Sequence, residues 1–117
     1  MAGKLSTHVL DTYKGRPASA VAWSLEYLQA GAWMHLSGGV TNQDGRTDDP
    51  LLLGDALRTG SYRLIFEIGA YFEAEAVVLP EPPFLGQVVL QVNLLAGEQY
   101  HVPLLTSPWS YSTYRGS

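Results

Sequence analysis

The chain has 117 residues, of which 46% are hydrophobic and 15% charged, with a formal net charge of −4 and no Cys. That length suits one domain, 1–117, with a real core, and the acidic balance argues against a nucleic-acid footprint. Disulfides and thiolate metal sites are excluded, and no apolar run approaches the ~18 residues of a membrane span.

Lys4 to Leu10 alternates, with Leu5, Thr7 and Val9 on one strand face and Ser6, His8 and Leu10 on the other. No signal-peptide apolar region precedes it, so the expected location is the cytoplasm. Asp11 to Pro17 is a turn cluster. Ala20 to Leu28 is the clearest half-buried strand, with Val21, Trp23, Leu25 and Tyr27 inward. Trp33 to Thr41 reads as a third strand, with a bulge expected at Gly38-Gly39. Thr41 to Pro50 is a polar loop in which the Asp44-Gly45 turn leaves Arg46 free to point at a partner.

Leu51 to Leu53 is long enough only for an edge strand. Ser61 to Ile68 alternates, and Gly69 is expected to break it before a helix over Ala70 to Leu79. Pro80 to Pro83 forbids regular structure. Leu85 to Leu95 reads as a long strand joined by Ala96-Gly97-Glu98 to Gln99 to Thr106, a spacing that predicts a hairpin. Pro103 predicts an edge position or a bulge for that last segment. Tyr111 to Arg115 adds a final strand. The pattern predicts an all-β protein, an antiparallel β-sandwich of about seven or eight strands with a helix of two or three turns.

His8 and His101 lie on strands far apart in sequence. Imidazole takes and gives protons near neutral pH, and Arg46 is a permanent cation suited to an oxygen-rich planar ligand. A strand histidine serves packing more often than chemistry, and the residues alone leave both roles open. His8, His35 and His101 lack close ligand spacing, so no metal or other cofactor is expected. Asp44, Asp48 and Asp49 lack the twelve-residue calcium-loop pattern. There is no Gly-x-Ser-x-Gly elbow. Trp109 and Tyr111 are the better interface candidates among the aromatics.

Three stretches carry a resemblance. Leu5-Ser6-Thr7-His8-Val9-Leu10-Asp11-Thr12 with Gly15, Pro17 and Ala18, then Thr41-Asn42-Gln43-Asp44-Gly45-Arg46, and last Tyr100-His101-Val102-Pro103-Leu104-Leu105 with Ser107-Pro108-Trp109 and the terminal Tyr114-Arg115-Gly116-Ser117, are similar to the motifs of the 5-hydroxyisourate hydrolases. These are the transthyretin-like enzymes of urate breakdown. The resemblance implies a transthyretin-like sandwich and a homotetramer, built as a dimer of dimers, with sites in the groove between dimers. It implies hydrolysis of 5-hydroxyisourate to 2-oxo-4-hydroxy-4-carboxy-5-ureidoimidazoline. The site it implies is His8, Arg46 and His101 with Tyr114, Arg115 and Ser117 on the substrate. His101 is expected to act as base and His8 to assist, with an exchange of roles left open. The compact aromatic end of the chain is expected to dock. Its terminal carboxylate, if set beside an imidazole N–H, would raise that imidazole's pKa.

Overall fold

The computed structural model describes residues 2–117. Period-two alternation governs most of it. β1 (Lys4–Asp11) buries Leu5, Thr7, Val9 and Asp11 and turns Ser6, His8 and Leu10 outward. There follow β2 (Arg16–Pro17), β3 (Ala22–Gln29), β4 (Ala32–Val40), β5 (Leu52–Leu53), a 3₁₀ turn, β6 (Gly60–Glu67), α1 (Ile68–Ala74), β7 (Gln87–Leu94), β8 (Gln99–Thr106) and β9 (Tyr111–Thr113).

Two sheets form. One has the order β2-β1-β8-β9, with β5 also pairing β1, and the other has the order β4-β3-β6-β7. The inner faces meet in one core. Leu5, Val9, Val102 and Leu104 come from the first sheet, and Leu25, Tyr62, Leu64, Phe66, Val88 and Leu90 from the second. The expected β-sandwich is therefore present. No helix is long and apolar enough to cross a membrane among the described residues.

Four local expectations fail. First, β7 and β8 are not a hairpin, because they lie in opposite sheets. Each has a long apolar face, and strands placed side by side would turn both faces the same way. Placed in facing sheets, Val88 and Leu90 meet the same core as Val102 and Leu104. The crossing is pinned where the Leu95 N–H donates to the Tyr100 hydroxyl at 2.9 Å.

Second, β8 is neither an edge strand nor bulged. It pairs in parallel with β1 along its whole length, Lys4 opposite Gln99 through Asp11 opposite Thr106, and antiparallel with β9. His101 exchanges both backbone bonds with Gly116. Alternate residues of a strand aim their backbone groups to the same side. Pro103 therefore turns its missing N–H toward the Tyr114-Arg115 stretch, where β9 has already ended.

Third, the strand ends before Gly69, at Glu67, and the helix is shorter than expected. Gly69 sits in the first turn of α1, and its N–H donates to the Gly86 carbonyl at 2.9 Å. The helix stops at Ala74, well short of Leu79, and Ala76 follows it with φ +62. Fourth, the β4 bulge is not at the glycine pair. The register shifts opposite Leu25 and Glu26, while Gly38 and Gly39 stay in register with Ser24 and Trp23. The pair serves packing, since the Trp23 indole lies against Gly39.

One buried polar contact ties α1 to the sandwich. Asp11 is 1% exposed at the end of β1. Its Oδ2 accepts the Tyr71 hydroxyl at 2.8 Å, and its Oδ1 accepts the Lys14 N–H at 2.8 Å. Burial first, then the hydrogen bond to Asp11, pushes the Tyr71 phenol pKa upward, so it remains a donor. Tyr71→Phe leaves a buried carboxylate oxygen without its partner. We expect it to cost about 1–3 kcal/mol, read as a fall in the urea midpoint at unchanged slope. A midpoint equal to that of the parent protein would show that the contact contributes nothing.

Candidate active site

The β1–β8 register sets the geometry. Ser6 lies opposite His101 and His8 opposite Pro103. Ser6, His8 and His101 face outward, so the two imidazoles stand on adjacent strands, one step apart on the same face. Strand spacing and rise put their Cα atoms about 8 Å apart. Both rings are half-buried. His35 is on the other sheet, exposed on β4 opposite Glu26.

Arg46 arrives from the other side of β1. An isolated antiparallel bridge pairs it with His8, and the Val9 N–H donates to the Gly45 carbonyl at 2.8 Å. Gly45 has φ +74, and a Cβ there would collide with the Val9 carbonyl oxygen. Asn42 holds the turn. Its Oδ1 accepts the N–H of Asp44 at 2.9 Å and of Arg46 at 3.1 Å, and its Nδ2 donates to Asp48 at 3.1 Å. Its own N–H donates to the Arg46 carbonyl at 2.8 Å. Arg46 itself is exposed and makes no ion pair among the described residues.

The chain end docks as expected. The His101 N–H donates to the Gly116 carbonyl at 3.1 Å, and the Gly116 N–H donates back at 2.7 Å. A side chain at Gly116 would press on the Cβ of His101. Ser117 follows as the exposed last residue, and Tyr114 is exposed between β9 and the bridge. Arg115 departs from its expected place. Its guanidinium lies over the Tyr100 ring at 4.7 Å and reaches Glu98 at 3.6 Å, on the face of β8 opposite His101.

Charge and burial act together on the rings. Burial first, then the Arg46 charge, holds the His8 pKa below its usual value, against the backbone and carboxylate of Asp44. Burial first, then Arg46, His8 and Lys4, lowers that of His101. The terminal carboxylate is not among these causes and joins no ion pair among the described residues. The shift is thus opposite to the increase that a carboxylate partner would produce. The partner found at His101 is uncharged: Ser6 Oγ is 2.9 Å from Nδ1.

Beside these rings, Lys4, Ser6, Arg46 and the loop 47–50 line a recess of about 220 Å³. Among the described residues no three His, Asp or Glu side chains stand where they could share a metal ion. Ser6 and Asn42 are site residues that the sequence reading did not single out. The Asx-turn preference of Asn before Asp-Gly gives a signal for Asn42. Ser6 has none, because its partner lies 95 residues away. What the set offers is two imidazoles whose cations are disfavoured and that can accept protons, and one guanidinium that can hold a developing oxyanion.

Comparison with known proteins gives the family of the chain. Residues 5–116 match the model of the HIUase/Transthyretin family. The 5-hydroxyisourate hydrolase of Mesorhizobium japonicum is 47% identical over 115 residues, covering 98% of this chain and 93% of that one. The crystal structure of an (S)-allantoin synthase superposes with TM-score 0.94 at 39% identity, covering 99% of this chain and only 44% of the larger one. The structure of Klebsiella pneumoniae 5-hydroxyisourate hydrolase gives TM-score 0.81 at 32% identity, covering 98% and 99%. The chain belongs to the HIUase/Transthyretin family.

Proposed function

We propose that this protein hydrolyses 5-hydroxyisourate in urate degradation, a step of purine catabolism. The observation that carries this reading is the convergence of His8, Arg46 and His101 on one outward face of one sheet. The names of relatives that align end to end with this chain support it.

In the proposed reaction, water attacks a ring carbonyl carbon. A C–O bond forms and the carbonyl electrons move onto oxygen. His101, neutral because burial and Arg46 disfavour its cation, takes the water proton at the ring nitrogen that Ser6 leaves free. The Arg46 guanidinium faces the oxyanion. When the tetrahedral carbon collapses, the C–N bond breaks and the departing nitrogen takes the proton back from His101. The products are the carboxyl and ureido groups of 2-oxo-4-hydroxy-4-carboxy-5-ureidoimidazoline. His8, one step along the same face, orients the substrate ring or the water. Ser117 follows the Gly116 bridge at His101, whereas Tyr114 lines a recess with Tyr100, Val102 and Arg115 on the other face of β8.

The reaction is tested by generating 5-hydroxyisourate from urate and following its ultraviolet decay. Added protein should accelerate the decay, and a rate equal to spontaneous decay would sink the reading. His101→Asn, His8→Asn and Arg46→Ala should each lower turnover by at least ~100-fold, the scale of a lost general base or oxyanion group. Thermal unfolding should change little in these variants, since all three side chains face away from the core. Near-normal activity in all three would reject the assignment.

The pH profile follows from the pKa directions. The active imidazole is neutral, so kcat/KM falls as pH drops through a value below the ordinary 6.5. Arg46→Ala removes one of the two main causes, so the acid limb of the residual activity should move to higher pH. An acid limb that stays in place would mean that Arg46 does not act on the rings.

We also propose the homotetramer, a dimer of dimers with each site at a subunit interface. The exposed Arg46 and the shallow recess beside it support a face that a second subunit completes. Light scattering should report four chains, and a fully active monomer would contradict the proposal.

A further inference from the structure

Ser6 is the register partner of His101 on the neighbouring strand, with both side chains on the outward face. Ser6 Oγ and His101 Nδ1 are 2.9 Å apart, and the Ser6 hydroxyl makes no other hydrogen bond among the described residues. We propose that Ser6 is a positioning residue that keeps a proton on His101 Nδ1, so that Nε2 is the free nitrogen facing the water. The catalytic consequence rests on the hydrolase reading above, whereas the tautomer itself does not.

A ring that works as a base at Nε2 must carry its proton on Nδ1. The imidazolium formed when Nε2 accepts a proton carries it there too. In both states the Nδ1–H group donates to Ser6 Oγ, so nothing need rotate as the proton moves at Nε2. The bond also strengthens as the ring gains charge. It is therefore tighter in the transition state than in the free enzyme, which is the condition for an interaction to speed the reaction. Without Oγ, an Nδ1 proton would point into half-buried surroundings with no acceptor. The proton would then settle on Nε2, and that nitrogen would cease to be a base.

Ser6 differs in kind from the carboxylate that orients the imidazole of a catalytic triad. A carboxylate fixes the tautomer and raises the pKa together. A hydroxyl accepts from Nδ1–H without adding charge, and toward the imidazolium it can only accept. This accounts for an imidazole that has an orienting partner and yet remains poised below its ordinary pKa.

The test uses the intact protein and three variants, Ser6→Ala, Ser6→Thr and Ser6→Asp. Nitrogen-15 spectra recorded well above the imidazole titration range report which nitrogen of His101 is protonated. The parent protein and Ser6→Thr should hold the proton on Nδ1, and Ser6→Ala should move it to Nε2. Ser6→Ala should lower kcat by about 10- to 100-fold, the range for a residue that orients a functional imidazole, with KM little changed. Ser6→Thr should restore kcat, since it returns the hydroxyl on a side chain suited to a strand. Ser6→Asp should move the acid limb to higher pH, because a facing negative charge favours the imidazolium. A parent protein with the His101 proton on Nε2, or a Ser6→Ala variant that keeps it on Nδ1, would overturn the proposal. Absence of turnover in the parent protein would remove the hydrolase reading, and the tautomer spectra would still decide the role of Ser6.

Discussion

The parallel pairing of β1 with β8 is the constraint on which the rest depends. Parallel strands need a long connection, and here it is nearly the whole chain, from Asp11 to Gln99. The second sheet and α1 occupy that connection. Alternation then does the remaining work. Because Leu5, Val9, Val102 and Leu104 are buried, His8 and His101 must face outward. A slip of one residue in either strand would turn its histidine into the core and its buried leucine out. The same burial that stabilises the sandwich thus fixes the two rings relative to each other.

Arg46 reaches this face from a loop, and a loop placement needs its own restraint. The Asn42 side chain spans the turn and is bonded to Asp44, Arg46 and Asp48. Gly45 allows the turn to press against the Val9 carbonyl. Together they attach a surface cation to a core strand at His8. The His8 pKa falls, in part, because of that attachment. Local turn chemistry at Asn42 is in this way one link from the protonation state of a ring on another element.

Most of the fold was legible because its strands alternate. β1, β3 and β6 appear in the sequence as alternating runs, and the face expected inward in β3, with Trp23, Leu25 and Tyr27, packs on the core. What misled was pairing, which alternation does not encode. Ala96-Gly97-Glu98 has the composition of a hairpin turn, yet it crosses between sheets, because the partner of β8 is β1 at the other end of the chain. Pro103 looked incompatible with an interior strand. It is tolerated because its nitrogen faces a gap in the β9 pairing, a fact of tertiary register. For the proposed site, His8, Arg46 and His101 could be picked out by residue type and by motif. The direction of Arg115 could not, since it is set by the Tyr100 ring and Glu98. Nor could the Ser6–His101 contact, which exists only once the register is known.

The proposed assembly and the proposed chemistry have one physical cause in common. Desolvation is the leading reason that both imidazoles are held low, ahead of Arg46. A second subunit covering the outward face removes more water, so it pushes both rings further in the direction the single chain already takes. Covering the face also lowers the local dielectric, which strengthens the hold of Arg46 on a developing oxyanion. The cost is a guanidinium taken out of water without a carboxylate partner, and the electron-rich oxygens of the substrate offset that cost when they bind. On this view an isolated chain keeps its three site residues in place and still lacks much of their chemical effect. The deficit lies in solvent exclusion and not in geometry.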